Sequence, residues 1–279
     1  MKLICLQENL KESLIILERI SSKNQNLPVL NNILLKTEKS ILKASATDLE
    51  IGIEISIPCK IEKEGSVILP VKLLSQFINN LPNTKINIEE KNTKINIEAD
   101  GIKTTIPLLN KEEFPIIPQI KKEKSISIKS EVLKNSLTQV LNSIALSHSI
   151  QEILGVLFIF NNKILKIIST DSFRLSEKVI YQKDNFETNN DYVFILPQKT
   201  TQELVRIINQ DENIDIYIDT NQIIFKLKNI NLISRLISGT YPNYEQIIPK
   251  KNDSIVLLDK NEFSLKIKLA SLFSSKIND

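Results

Sequence analysis

Two aspartates are the residues of this chain whose type and setting could most readily support a reaction. Asp48 and Asp171 end similar short words, Ala-Ser-Ala-Thr-Asp in the first case and Ile-Ile-Ser-Thr-Asp in the second. A pair of carboxylates can act as general acid and general base, or it can hold a divalent metal ion. A metal-dependent hydrolase that uses Asp48 and Asp171 is therefore one hypothesis for the chain.

The positions of the two aspartates favour a structural role. They occupy the same place in two repeated segments, so each repeat carries one carboxylate and the two should lie far apart. A short carboxylate after a strand commonly stabilises the following turn by accepting hydrogen bonds from backbone N–H groups. We expect this role for both aspartates.

The other reactive side chains form no recognisable catalytic or cofactor-binding set. His148 is the only histidine, so a triad could be built only around it, and no Gly-x-Ser-x-Gly word occurs. The five glycines are too dispersed for a phosphate loop. Cys5 and Cys59 lack metal-ligand spacing and predict small buried side chains. We therefore predict no catalytic residue, no cofactor and no metal, and a chain that binds a partner.

Composition limits the class of protein without identifying it. The 279 residues are 42% hydrophobic and 25% charged, which is typical of globular proteins, and the formal net charge is only +3. So small a basic excess does not by itself indicate a nucleic-acid partner. No apolar run approaches the ~18 residues of a membrane span, and the apolar N-terminus is too short for a signal peptide. We expect a cytoplasmic protein without membrane contact.

The elements that would position these side chains recur along the chain. Four words return in the same order at offsets of 123 to 127 positions: residues 10–14 as 133–137, 41–48 as 164–171, 68–72 as 195–199, and 114–115 as 241–242. Collinear matches at nearly one offset indicate a duplicated domain.

Each repeat predicts the same order of elements. A strand leads into an amphipathic helix, and short strands, a second helix after an Ile-Leu-Pro word and further strands follow. Proline is tolerated at a helix start because the N–H that it lacks would have no partner there. The predicted buried faces are Leu10, Leu14, Leu17 and Ile20; Leu73, Leu74, Phe77 and Ile78; Leu133, Leu137, Val140 and Ile144; and Leu204, Val205, Ile207 and Ile208.

These patterns predict an α+β fold in tandem domains. The first spans residues 1–120 and the second residues 125–250, with the charged segment 121–124 between them. Residues 254–279 predict the start of a third copy, with a strand at 254–258 and a helix whose stripe is Phe263, Ile267, Ala270 and Phe273. This third copy is incomplete relative to the first two.

Several words in this order resemble the bacterial sliding-clamp family, the β subunits of DNA polymerase III. They are Leu-Pro-Val-Leu-Asn-Asn-Ile-Leu-Leu at 27–35, Ala-Thr-Asp-Leu-Glu at 46–50, Thr-Asp-Ser-Phe-Arg-Leu at 170–175, Gly-Thr-Tyr-Pro-Asn-Tyr at 239–244 and Ile-Ile-Pro at 247–249. The resemblance implies tandem DNA-clamp domains, each with two inner helices and outer antiparallel sheets, in a head-to-tail dimeric ring around duplex DNA. It implies as partners double-stranded DNA, the catalytic subunit of DNA polymerase III, the clamp loader and other proteins with clamp-binding motifs.

The resemblance also implies which residues face DNA. They must hold phosphates without reading bases, because base-specific hydrogen bonds would stop sliding. Lys72 and Lys199 each lie two residues after the proline of a repeated word. Asn24 and Ser149 replace longer side chains that are common in the family, which predicts a weaker grip on DNA. The full set of matching positions is Lys23, Asn24, Lys72, Ser149, Lys199 and Arg206.

A partner-peptide pocket is the second site that the resemblance implies. Its matching positions are Ile153, Leu154, Thr170, Leu175, Pro242 and Ile247, of which Leu175 and Ile247 could equally be core residues. In the family a third domain completes this pocket and one side of the dimer interface. Three assemblies stay open: the family's dimer, which needs that third domain, a trimer of two-domain chains, and a chain that forms no ring.

Overall fold

The structure is a computed structural model, and its contacts divide the chain into two units, Met1–Tyr241 and Pro242–Asp279. The first unit contains the described strands of both repeats, whereas residues 242–250, the end of the predicted second domain, fall in the second unit. The second contains one α-helix among its described residues. The residues that the structure describes are 1–21, 27–109, 114–115, 125–147, 150–183, 185–188, 190–209, 213–249, 251 and 253–273.

Both repeats have the predicted alternation of strands and helices. The first consists of β1 (Lys2–Leu6), α1 (Gln7–Ile20), β2 (Asn32–Glu38), β3 (Ile41–Thr47), β4 (Ile51–Pro58), β5 (Lys60–Lys63), β6 (Ser66–Pro70), α2 (Val71–Asn79), β7 (Lys85–Lys91), β8 (Lys94–Ala99) and β9 (Ile102–Pro107). The second consists of β10 (Ile126–Lys129), α3 (Ser130–Val140), β11 (Gly155–Phe160), β12 (Ile164–Thr170), β13 (Leu175–Tyr181), β14 (Phe186–Thr188), β15 (Tyr192–Pro197), α4 (Gln198–Ile207), β16 (Asn213–Ile218), β17 (Gln222–Lys226) and β18 (Ile230–Arg235).

The strand order is the same in the two repeats. In the first repeat β5-β1-β7-β8-β9 and β4-β3-β2-β6 are neighbours, and in the second β14-β10-β16-β17-β18 and β13-β12-β11-β15 are their counterparts. The pairings are antiparallel, and β18 also pairs with β4, which joins the repeats in one nine-stranded sheet. The seam sets Leu232 opposite Ile53 and Ile230 opposite Ile55. The described residues therefore form an antiparallel α+β fold.

The first helix of each repeat buries the face that the sequence predicts. Leu10, Leu14, Leu17 and Ile20 are fully buried along or at the end of α1, and Leu133, Leu137 and Val140 are buried along α3. Burying one such aliphatic side chain stabilises a fold by ~1.5–3 kcal/mol. These stripes pack into a hydrophobic core that runs through both repeats.

The second helices bury most of the predicted faces, with Leu73 as the exception. In α2 the buried residues are Val71, Leu74, Ser75 and Ile78, whereas Leu73 is 48% exposed. In α4 the predicted Leu204 and Ile207 are buried, as is Ile208 directly after the helix, and Val205 is half-buried. Thr200, Thr201 and Glu203 are buried as well. Positions i, i+3, i+4 and i+7 share one side of a helix. The prediction was wrong for Leu73, and Val71 and Ser75 complete the buried side of α2 with Leu74 and Ile78.

The second unit differs more from its prediction. Residues 254–258 form no strand, and the helix α5 (Lys260–Ser271) has no buried residue. Asp259 caps α5 by accepting a hydrogen bond from the N–H of Glu262 at 2.8 Å. The predicted strand has no paired neighbour among the described residues, and a strand without neighbours is not stable in water. The predicted strand and buried stripe of a third copy are therefore wrong for this structure.

Candidate nucleic-acid interface

The two second helices begin in the same way in both repeats. β6 ends at Pro70, which lies opposite Asn32, and β15 ends at Pro197, which lies opposite Gly155. Each proline precedes the first helical residue and has an extended rather than a helical ψ, 119° at Pro70 and 146° at Pro197. Lys72 and Lys199 are consequently the second residues of α2 and α4.

The structure describes three of the six residues predicted to face DNA. Lys72, Lys199 and Arg206 are exposed. Lys23, Asn24 and Ser149 lie outside the described residues, as does His148. Lys72 forms no ion pair with any described residue, whereas Lys199 and Arg206 are each paired with a carboxylate.

Lys199 pairs with Asp48, one of the two aspartates at equivalent places in the repeats. Its ammonium donates to Oδ2 of Asp48, 151 positions away in the first repeat. Oδ1 of Asp48 accepts hydrogen bonds from the N–H groups of Glu50, at 3.0 Å, and Ile51, at 2.7 Å. The carboxylate is only 6% exposed, while the Lys199 side chain is 47% exposed. Asp48 thus stabilises its turn, as predicted, and also ties the repeats together.

Arg206 belongs to a second ion pair network. Its guanidinium donates to Oε1 of Glu203 one turn earlier in α4, and Oε2 of Glu203 accepts from Nε of Arg19 at 3.0 Å. Arg19 lies in the last turn of α1, in the first repeat. A buried carboxylate needs such partners, since its desolvation would otherwise be costly. Glu203 therefore also joins the two repeats.

Asp171 has a different cation as its partner. Its Oδ1 accepts from the N–H groups of Phe173, at 3.0 Å, and Arg174, at 2.7 Å, and its Oδ2 accepts from Nε and Nη2 of the Arg174 side chain. Hydrogen bonds from the Arg174 backbone and then from its side chain lower the pKa of the Asp171 carboxyl from 3.8 to about 2. This carboxylate, like Asp48, stabilises a turn.

The hydrolase hypothesis gains no support from this geometry. Each aspartate sits in the turn of its own repeat with its oxygens occupied by backbone and cationic donors. No group of three or more His, Cys, Asp or Glu side chains that could hold a metal occurs in the described part of the chain. Cys5 is buried, and burial, with a smaller contribution from nearby Cys59, raises the pKa of its thiol to about 12.

The residues predicted for the peptide pocket fall in both units. Ile153 is buried, Leu154 and Leu175 are half-buried, and Thr170 donates its hydroxyl to the carbonyl O of Arg174 at 2.7 Å. In the second unit Pro242 is exposed and Ile247 is 67% exposed, so Ile247 is not a core residue.

Sequence reasoning missed residues that the structure brings to these sites. Arg19 and Glu203 were not singled out, although the spacing of Glu203 and Arg206 is that of an i, i+3 helical ion pair. Phe173, between Thr170 and Leu175, is 96% exposed, which is unusual for so large an apolar side chain. Its position inside the Thr-Asp-Ser-Phe-Arg-Leu motif was a usable signal.

Comparisons with known proteins give one consistent result. The family model for the N-terminal domain of the DNA polymerase III beta subunit matches residues 1–118. The family model for the central domain of the same subunit matches residues 127–243. The beta sliding clamp of Staphylococcus aureus is 29% identical over 263 residues, which are 91% of this chain and 69% of the relative.

Solved structures agree with the sequence matches. The DNA polymerase sliding clamp of Bacillus subtilis superposes with a TM-score of 0.93 at 27% identity, over 99% of this chain and 75% of that one. The Helicobacter pylori beta clamp bound to a DNA ligase peptide gives a TM-score of 0.87 at 26% identity, over 99% and 77%. Among the helices that the structure describes, none is long and apolar enough to cross a membrane.

Proposed function

Because this chain belongs to the family of bacterial DNA polymerase III beta subunits, the sliding clamps, we propose that it surrounds duplex DNA in the cytoplasm and tethers a polymerase. It does so as an accessory subunit without a catalytic step. The observation that carries the proposal is the pair of lysines, Lys72 and Lys199, at the second residue of equivalent helices. Two repeats that each present a lysine at the same place suit duplex DNA, because its negatively charged phosphates repeat along the helix axis.

Binding without sequence preference follows from the chemistry of these residues. Lysine and arginine attract phosphate oxygens, which are the same at every base pair, so contacts with them fix the protein on the duplex without reading it. Each phosphate contact contributes about −0.9 to the slope of log affinity against log salt concentration. If Lys72, Lys199 and Arg206 each hold one phosphate, the slope per chain is about −2.7.

We infer that a ring would close through the sheet edges of the two proposed domains, residues 1–120 and 125–250. Within the chain, β18 of one repeat pairs with β4 of the other. β9 and β13 are the counterparts of β18 and β4, and each is an edge strand of the described sheets. In a dimer, a third domain of the partner would cover β9. In a trimer, β13 of another copy would cover β9.

The proposed pairing of β9 with β13 of another copy has a defined register. If β9 and β13 pair in the register of β18 and β4, Lys103 of β9 lies opposite Glu177 of β13. These two residues take the places of Asn231 and Glu54, which contact each other within the chain.

Light scattering measures the mass of the assembly directly. A dimer, a trimer and a monomer differ by whole multiples of the 31.8 kDa chain.

We also propose that the second repeat takes up partner peptides, as the H. pylori beta clamp does with a DNA ligase peptide. Such pockets bind by burying one or two apolar anchors of an extended peptide. Phe173, which is 96% exposed, and the half-buried Leu175 offer apolar surface beside Thr170 for this contact. The catalytic subunit of DNA polymerase III and the clamp loader are the proposed protein partners.

Fluorescence anisotropy with two duplexes of unrelated sequence tests the DNA-binding role. Wild-type protein should bind both with the same affinity, and Lys72→Ala should make the salt slope shallower by about 0.9. Lys60→Ala, which removes an exposed lysine from β5, is the matched control and should leave the slope unchanged. Equal slopes for the two variants would contradict the proposal.

A further inference from the structure

The two repeats treat their equivalent lysines differently. Lys72 of the first repeat has no ion pair with any described residue, whereas the Lys199 ammonium is held by Asp48. The difference is not in the helices, since both lysines follow a strand-ending proline. It lies in whether a carboxylate of a neighbouring repeat is placed within reach of the lysine.

Asp48 is built to receive a cation. The N–H groups of Glu50 and Ile51 fix its Oδ1, so that Oδ2 is already oriented when Lys199 approaches. The anchoring turn adjoins the seam between the repeats, because the N–H of Arg235 donates to the carbonyl O of Glu50 at 3.0 Å. The Lys199 side chain is 47% exposed, so solvent reaches the lysine side of the pair.

A DNA phosphate offers the same chemistry as this carboxylate. Both are anionic oxygens that accept charge-assisted hydrogen bonds from an ammonium group. Since the Lys199 side chain is half-exposed, a phosphate can approach it and exchange with Oδ2. Asp48 would then lose its cation but keep its two backbone donors.

We propose that Asp48 is an internal competitor of DNA phosphate for Lys199, and that it lowers the affinity of the second repeat for duplex DNA. This inference rests on the proposed function. Binding of a phosphate at Lys199 exchanges a contact between the repeats for a contact with DNA. Lys72, which has no such competitor within the described part of the chain, contributes more to binding than Lys199 does in the wild-type chain.

The size of the effect follows from the exposure of the pair. Ion pairs that solvent reaches are weak, and releasing Lys199 from one should tighten DNA binding by roughly two- to five-fold. Glu203 is a poorer candidate for the same role. It is buried and shared between Arg19 and Arg206, so its replacement would disturb the junction of α1 and α4.

Duplex binding by Asp48→Asn and Asp171→Asn tests the inference. Both variants remove one negative charge, and asparagine keeps the Oδ1 that accepts the turn hydrogen bonds. Asp171→Asn releases Arg174, which lies in the β12–β13 loop and not on a helix. Asp48→Asn should bind roughly two- to five-fold more tightly than Asp171→Asn, and Asp48→Ser, which can also stabilise the turn, should behave like Asp48→Asn.

A double-mutant cycle separates this effect from a general change in charge. In a Lys199→Ala background, Asp48→Asn should bind DNA no more tightly than Asp171→Asn does in that background. Equal affinities of Asp48→Asn and Asp171→Asn with Lys199 present would overturn the inference. If Lys72→Ala still weakened binding in that case, the proposed function would stand. Absence of duplex binding by wild type and all variants would overturn both.

Discussion

Replacing Gly155 with alanine should push β11 and β15 apart at the point where α4 begins. A Cβ at this position would lie 2.7 Å from the carbonyl O of Leu196 and from Cγ2 of Ile195, and 2.8 Å from Cδ1 of Ile237. Comfortable contacts between carbon atoms need ~3.5–4.0 Å. The Leu196 oxygen belongs to the backbone of β15 and cannot rotate away, so the strands must move. Overpacking of this kind costs ~1–3 kcal/mol.

Urea unfolding followed by circular dichroism measures this cost as a lower transition midpoint at unchanged slope. Gly101→Ala is the control, because Gly101 has φ of +78° but no atom within 4 Å of an added Cβ. It should lose ~1–2 kcal/mol through backbone strain alone. Hydrogen exchange should quicken in β15 and α4 for Gly155→Ala and not for Gly101→Ala. A Gly155→Ala protein within ~0.5 kcal/mol of wild type would refute the packing argument.

Two further substitutions probe the core and a turn. Leu17→Ala, at a fully buried position of α1, should cost ~2–5 kcal/mol, whereas Ile15→Ala, at a 42% exposed position, should cost less than ~1 kcal/mol; thermal unfolding compares them. Hydrogen bonds from Arg174 hold the pKa of Asp171 at about 2, below the ordinary 3.8. Its contribution to stability is therefore complete above the unfolded pKa and lost as pH falls toward 2. Wild type and Asp171→Asn should differ by less than ~1 kcal/mol at pH 7 and converge near pH 2, and a difference that grows on acidification would contradict this sign.

Local patterns predicted the repeated elements because those elements depend on local periodicity. The stripe of α1 is set by leucines at helical spacing. Apolar and polar residues alternate strictly in Lys-Ile-Asn-Ile-Glu at 85–89 and again at 94–98, as expected for strands, and these segments lie in β7 and β8. Prediction was weaker where two apolar stripes compete on one short helix. In α2 both Leu73 and Leu74 are available, and only packing against the sheet selects Leu74.

Contacts between the repeats could not be read from the sequence. The pair of Asp48 and Lys199 depends on how β18 aligns with β4, which brings a turn of one repeat to a helix of the other. The predicted strand at residues 254–258, which the structure lacks, shows the same dependence, because an apolar segment becomes a strand only beside a partner. The family resemblance identified the fold, but not which cations are held by carboxylates.

Photo-crosslinking of the chain to duplex DNA tests most directly whether the lysine-bearing helices face DNA. A photoreactive amino acid would replace Lys72, Lys199 or, as an outer-sheet control, Lys60 on β5, in otherwise wild-type protein. Positions 72 and 199 should both crosslink to duplexes of unrelated sequence, and position 60 should not. Crosslinking from position 60 equal to that from positions 72 and 199, or from only one of the two helices, would contradict a shared DNA-facing surface.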